Sequence, residues 1–336
     1  MRFVTRVLSA GLLTGILAGP LAAQPPESTV FISVVATKLF VVGAANPRTG
    51  IHFQHPSADT VWQHTGPVNI RAFGVAVQPH TDNKVLYIAS GNGVHKSTDG
   101  GATWKITTGW NITEVLGVSP DPFDGDRVYC ATPYGVFRTT DGCRTWQEAS
   151  NGLDARFVSQ VMASPLVKGQ VICATESGAY ISTDGASTWK RMGLSVGGIR
   201  TVVQHPRDPR ILAAGTEDHG LYMSTDGGTV WTRREAGIDH LTFYAIAFDP
   251  TAPDTMYAGG YVTGVYRSVD GGTTWKRMNE GLAVLSFKCL AVDPRDSRRV
   301  YAGAYWGGAY VTEDRGAHWK PIGPPDSQVW TITIQP

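Results

Sequence analysis

The sequence predicts an all-β chain folded as a seven-bladed β-propeller of four-stranded antiparallel blades. Three observations predict it. With 39 Gly and 20 Pro among 336 residues and only 17% charged residues, the chain is turn-rich and too glycine-rich for a helical bundle. The string STDGGATW at 97–104 recurs as TTDGCRTW, STDGASTW, STDGGTVW, SVDGGTTW and TEDRGAHW. Its aspartates, Asp99, Asp141, Asp184, Asp226, Asp270 and Asp314, are 42 to 44 residues apart, the period of a four-stranded propeller blade.

Each period holds the same elements in the same order. In LAVDPRDSRRVYAGAYWGGAYVTEDRGAHW an alternating apolar run ends at a proline, a second run leads through a glycine-bounded turn to a third, and the box closes the unit. These runs are strands A, B and C, and strand D starts at the box tryptophan, as in TWKRM. The seventh copy is split between the ends of the chain. TKLFVVGAANPRTGIHFQHPSADTVW supplies strands B to D with a decayed box ending at Trp62, and VWTITIQP supplies strand A. Pro336 lies 17 residues after Trp319, as Pro79 does after Trp62. The C-terminal strand A therefore joins the N-terminal strands B to D and closes the ring without exposed edges. The domain is expected over 38–336, after an extension at 24–37 whose strand-like TVFISVV (29–35) has no place in this scheme.

At the start of the chain, Arg2 and Arg6 precede an apolar run that ends in small residues, the layout of a secretory signal peptide. Residues 1–23 are expected to be removed near Ala23, which places the protein in the periplasm or outside the cell. No later run approaches the ~20 apolar residues of a membrane span. Lys and Arg number 29 against 28 Asp and Glu, a balance that gives no electrostatic ground for a nucleic acid or an anionic membrane as partner. Cys130, Cys143, Cys173 and Cys289 show neither a disulfide framework nor a metal spacing, and the nine histidines are scattered. No metal and no cofactor are expected, and the chain is expected to be a monomer.

The box resembles the Asp-box, or BNR, repeat of sialidases, xyloglucanase-type glycoside hydrolases, sortilin-like receptors and photosystem II assembly factors of the Ycf48 type. The resemblance covers about residues 38–336 and implies the fold much more sharply than the function, because these families share the repeat and little else. It also implies that the boxes lie away from the ligand face. The residues agree: six near-copies of one box cannot be one catalytic centre. The aspartate is expected to accept backbone N–H bonds in the C to D hairpin, the glycines to supply positive φ, and the tryptophan to pack between blades. Cys143, Ala186 and Arg315 replace a box glycine and predict local strain.

Residues that recur in register are architectural, so those that break register are the candidates for function. Seven of the ten tryptophans are box residues or their equivalent; Trp110, Trp306 and Trp330 are not, and all three map to the face carrying the D to A and B to C loops. Aromatic faces there suit sugar rings or apolar peptide side chains. Counting six residues back from each strand A proline gives Phe73, Glu114, Ser159, Arg200, Tyr244, Lys288 and Trp330, a varied ring expected at the channel mouth above a uniformly apolar strand. Neighbouring loops add Arg71, Arg156, Tyr134, Glu176, Asp218, His219, Asp239, His240, Tyr261 and Tyr305. Arg71, Arg156, Arg200 and Lys288 are candidates for a cationic patch that would hold a carboxylate or sulfate.

Two enzymatic readings compete with binding. Sialidases use an arginine cluster, but their Arg-Ile-Pro motif is absent and their catalytic domains resemble six blades. Xyloglucanase-type enzymes clamp a polysaccharide between two propellers, whereas one ring is present here; glycosidase chemistry needs two carboxyl groups about 5 to 10 Å apart, for which Glu114, Glu176, Asp218 and Asp239 are the available acids. GLSVG at 193–197 fits a nucleophile elbow but falls in a loop between strands, where Ser195 lacks the strand-turn-helix setting. NIT at 111–113 is a glycosylation sequon, with meaning only in a host that glycosylates exported proteins. The expected function is that of an exported, non-enzymatic propeller that binds a glycan or a protein through its loop face, as an assembly or stability factor of the Ycf48-like kind. The alternative is a glycoside hydrolase or polysaccharide lyase of the Asp-box type.

Overall fold

The computed structural model describes residues 28–37, 49–54, 61–68 and 70–336. Seven four-stranded antiparallel sheets stand in a ring, each neighbouring the next through its innermost strand. Blade 1 runs Ala72–Val77, Leu86–Ser90, Gly93–Ser97 and Lys105–Ile106 from the axis outward. The innermost strands of blades 2 to 6 are Gly117–Pro120, Val158–Ala163, Ile199–Gln204, Phe243–Phe248 and Phe287–Val292. In blade 7 the C-terminal strand Ser327–Gln335 is innermost, followed by Thr29–Thr37, Gly50–Gln54 and Gln63–Thr65.

Closure by the C-terminal strand is as expected, but the second strand of that blade is not. TVFISVVAT fills the place assigned to TKLFVV: Ile32 pairs with Ile332 on one side and with His52 on the other. The first described strand of the propeller is thus Thr29–Thr37, which lies before the boundary expected at residue 38 and inside the expected extension at 24–37. Length decides it. A nine-residue C-terminal strand needs a partner as long, and Thr29–Thr37 supplies one in continuous register apart from bulges near Val34. The expected signal peptide, residues 1–23, lies outside the described residues.

Second strands such as Leu86–Ser90, Val128–Thr132 and Val171–Thr175 are buried on both faces, because each sheet is sandwiched between two others. Apolar side chains interlock across each gap. Phe31 and Ile51 of blade 7, for example, pack with Val75, Leu86 and Ile88 of blade 1. Burial on this scale contributes about 1.5–3 kcal/mol for each large side chain.

The repeated box braces the hairpin between the third and outermost strands. Asp270 Oδ1 accepts the N–H groups of Thr273 and Thr274 at 3.1 and 2.9 Å, while Ser268 Oγ accepts Gly272 N–H at 2.9 Å and donates to Asp270 Oδ1 at 2.8 Å. The bond from the N–H four residues ahead recurs at Asp99, Asp141, Asp184, Asp226 and Asp314, and the one from three residues ahead at Asp141, Asp184 and Asp226. Two of the box tryptophans donate to the preceding blade, Trp189 Nε1 to Ala149 O at 2.7 Å and Trp319 Nε1 to Met278 O at 2.8 Å, whereas Trp104, Trp231 and Trp275 donate to a glycine carbonyl of their own box. Trp62 also donates to the preceding blade, to Ile322 O at 2.7 Å, so the decayed copy keeps the contact without the Asp-Gly pair. Where glycine is replaced, the backbone keeps its left-handed turn, with φ of 73° at Cys143, 63° at Ala186 and 61° at Arg315. All four cysteines are free thiols.

Candidate functional site

The innermost strands frame an axial cavity of about 610 Å³ at the end where those strands begin. Its mouth is shaped by a device that the sequence pattern did not show. In six blades the register of the innermost strand against the second slips by one residue, and the unpaired residues are Phe73, Ser159, Arg200, Tyr244, Lys288 and Trp330. A β-bulge leaves one residue outside the ladder and re-aims its side chain. All six line the cavity.

Glu114, the seventh residue expected in this ring, is displaced. Two prolines compete in blade 2, and the count began from the wrong one. Pro120 pairs with Val128 as Ala163 pairs with Val171, so Pro120 lies inside the strand and Pro122 is the counterpart of Pro165. Counting from Pro122 gives Leu116, which lines the cavity, whereas Glu114 lies in the loop before it with φ 51°.

The mouth is uneven. Blades 2 and 3 contribute Leu116 and Ser159; Ser159 Oγ turns aside to donate to Ile199 O at 2.9 Å, and a Cβ added at Gly117 would meet nothing within 4 Å. Blades 4 to 7 and blade 1 contribute Arg200, Tyr244, Lys288, Trp330 and Phe73. The Phe73 and Trp330 rings meet edge to face with centroids 5.1 Å apart, and Arg71 lies 5.0 Å over Phe73. Deeper along the strands the lining turns apolar at Val75, Val118, Val161, Ile246, Leu290 and Ile332.

Two cations face this space and are held differently. Arg200 makes an ion pair with Glu217 in the loop after the second strand of blade 4. Lys288 has rings around it: Nζ lies 3.7 Å from the Tyr244 centroid, 5.1 Å from Trp330 and 5.2 Å from Tyr305. Burial first, and repulsion from Arg200 second, lower its pKa to about 8. Burial also raises the pKa of the Tyr244 phenol.

Other candidates lie elsewhere. Trp110 is 99% exposed, and Trp306 packs against Tyr305 with centroids 6.4 Å apart, so the expected arc of three tryptophans is represented in the cavity by Trp330 alone. Arg156 pairs with Glu148, Glu176 is exposed, and Asp218 accepts the Thr242 hydroxyl at 2.9 Å. Asp239 is engaged by Arg277 and by the Tyr266 hydroxyl. Glu217 is the one carboxylate in the lining and was missed. Its position in the repeat carries a signal: Glu217, like Glu176 and Tyr305, follows the last residue of a second strand, one residue before the expected Asp218. No group of His, Cys, Asp and Glu among the described residues is placed to hold a metal ion.

Solved structures match most of the chain. The GH74 enzyme of Niastella koreensis is 18% identical with a TM-score of 0.68, covering 89% of this chain and 55% of that one. An ancestral GH74 enzyme is 21% identical with a TM-score of 0.64, covering 79% and 38%. YCF48 from Cyanidioschyzon merolae is 19% identical with a TM-score of 0.57, covering 78% and 88%. In fold, this chain is similar to GH74 and YCF48 propellers. At such identities the likeness speaks for the scaffold alone. The chain spans about half or less of those GH74 chains and most of the YCF48 chains, among them a YCF48 bound to D1 peptide (TM-score 0.58, 17% identical, covering 78% and 95%). No protein-family model matches the chain, and no curated protein matches it. No helix among the described residues is long and apolar enough to cross a membrane.

Proposed function

We propose that this chain is an exported, non-enzymatic propeller that holds a peptide segment of a partner protein at the mouth of its axial cavity. The observation that carries the reading is the bulge ring. Six blades break their own ladder at one level to aim side chains into one space, and five of those side chains are large rings or cations. A cavity of about 610 Å³ with apolar walls and a few polar groups suits a short segment entering end-on. A YCF48 structure bound to D1 peptide supports the idea that this scaffold serves peptide capture; an assembly or stability role for the captured partner is part of the proposal. Export rests on the N-terminal pattern of Arg2, Arg6 and the apolar run.

Glycoside hydrolysis draws less support from the site. The cavity offers one carboxylate, Glu217, engaged by Arg200, where a glycosidase needs two across the sugar. The test is a panel of peptides and a panel of oligosaccharides, including xyloglucan fragments, offered to the full chain. Peptide binding that weakens about tenfold or more in Trp330→Ala and in Gly117→Leu supports the reading. Oligosaccharide binding or cleavage with no peptide bound overturns it.

A further inference from the structure

The mouth carries two cations and one acid. Glu217 neutralises Arg200, which leaves the charge of Lys288 uncompensated. Ring faces attract an ammonium through their quadrupoles, but they do not replace the acceptors its three N–H bonds had in water. Among the described residues, no carboxylate pairs with Nζ; Tyr244, Tyr305 and Trp330 hold it at the edge of open space. A buried charge without a partner is costly, and an entering anion relieves that cost together with the repulsion from Arg200.

We propose that Lys288 is the anchor for a carboxylate of the bound peptide, with Arg200 as the second cation. This rests on the peptide reading above and specifies its chemistry. One net positive charge matches a monoanion such as a carboxylate better than a doubly charged phosphate. Arg200 and Lys288 line the same cavity on either side of Tyr244 and are close enough to repel each other, so one anion at the mouth is attracted by both. The carboxylate comes either from a chain terminus or from an acidic side chain, and the two sources are separable by experiment.

The charge balance fixes the pH dependence. The groups facing Lys288 are Arg200 with its partner Glu217 from blade 4, the Tyr244 phenol from blade 5 and the Tyr305 phenol from its own blade. With a free pKa of about 8, the ammonium is present at pH 7 and mostly lost by pH 9. Carboxylate binding is therefore strongest near neutral pH, weakens about five- to tenfold by pH 9, and raises the Lys288 pKa.

The test follows the Lys288 side chain by NMR in the full chain labelled at lysine, with three probes. N-acetylphenylalanine carries a terminal carboxylate, N-acetylphenylalaninamide carries none, and N-acetylglutamic acid α-amide carries one on its side chain. The expected result is a Lys288 pKa raised by about one unit or more with at least one acid and unchanged with the amide, the responding acid naming the source. Lys288→Met should weaken that acid about tenfold or more, leave the amide unaffected, and Lys288→Arg should restore part of the loss. Equal effects of acids and amide, or no shift with any probe, overturn the anchor. If larger peptides bind and are lost in Gly117→Leu while acid and amide forms bind alike, the mouth site stands and only the anchor falls.

Discussion

The ammonium of Lys288 lies 3.7 Å from the centre of the Tyr244 ring and has no carboxylate partner among the described residues. Such an arrangement works against the fold. The folded pKa of about 8 is below the ordinary 10.5, so between those values the unfolded chain binds more protons and stability rises with pH. Below pH 8 the whole cost of the buried charge remains. The gap corresponds to at most roughly 3 kcal/mol, and solvent in the open cavity reduces it to about 1–3 kcal/mol. Lys288→Met is therefore expected to stabilise the protein by that amount at pH 7 in urea unfolding, with the gain shrinking between pH 8 and pH 10. Loss of stability at pH 7 would contradict this account.

The box aspartates set an acid limit. The Thr103 and Thr274 hydroxyls, followed by backbone N–H groups, lower the pKa values of Asp99 and Asp270 to about 2. Their contribution is present above the unfolded value of 3.8 and is lost as pH falls through the folded one. Thermal scans should show a Tm that holds down to about pH 4 and drops between pH 4 and pH 2. In the double variant Asp99→Asn, Asp270→Asn that drop should be shallower, from a lower starting Tm.

Arg315 sits exposed with φ 61° where the other five boxes all carry glycine, at φ 67–74°. A left-handed residue with a Cβ costs about 1–2 kcal/mol, and the extra freedom of glycine in the unfolded chain offsets about half. Arg315→Gly should gain about 0.5–1 kcal/mol, and Gly271→Ala should lose a similar amount, both read from urea midpoints. A loss in Arg315→Gly would show that its side chain contributes more than the turn does.

Ring closure can be separated from the rest of the fold. Thr331 Oγ1 donates to Phe73 O at 2.9 Å and Thr333 Oγ1 to Val75 O at 2.7 Å, so the last strand bonds laterally to blade 1 as well as to Thr29–Thr37. Thr331→Val should cost about 1 kcal/mol. Deleting 327–336 should abolish cooperative unfolding, because it strips one side from a strand buried almost throughout. Adding a synthetic peptide of those ten residues in trans should restore it; a cooperative transition without the peptide would refute the role of closure.

The repeat made the blade count, the box geometry and the axial placement of the mouth legible before any coordinates. What it hid were departures smaller than its own spacing. Pro120 and Pro122 are two residues apart, and a motif read as apolar run plus proline cannot choose between them; the pairing of Val128 can. The two apolar runs near the N-terminus were equally strand-like, and only the length of Ser327–Gln335 selects Thr29–Thr37. Bulges leave no compositional mark, so the residues of the ring were found by counting while the reason they turn inward was not. The Glu217 pairing with Arg200 joins a loop to a strand start, a contact that periodicity does not encode.

Trp330 and Ile332 of the cavity wall belong to the strand that is synthesised after all six complete blades. A chain that lacks this strand therefore has no finished cavity, however well its earlier blades have formed. The wall of the proposed site is complete only when the strand that follows all six blades is in place, so a partner of that mouth would tell a closed ring from an open one.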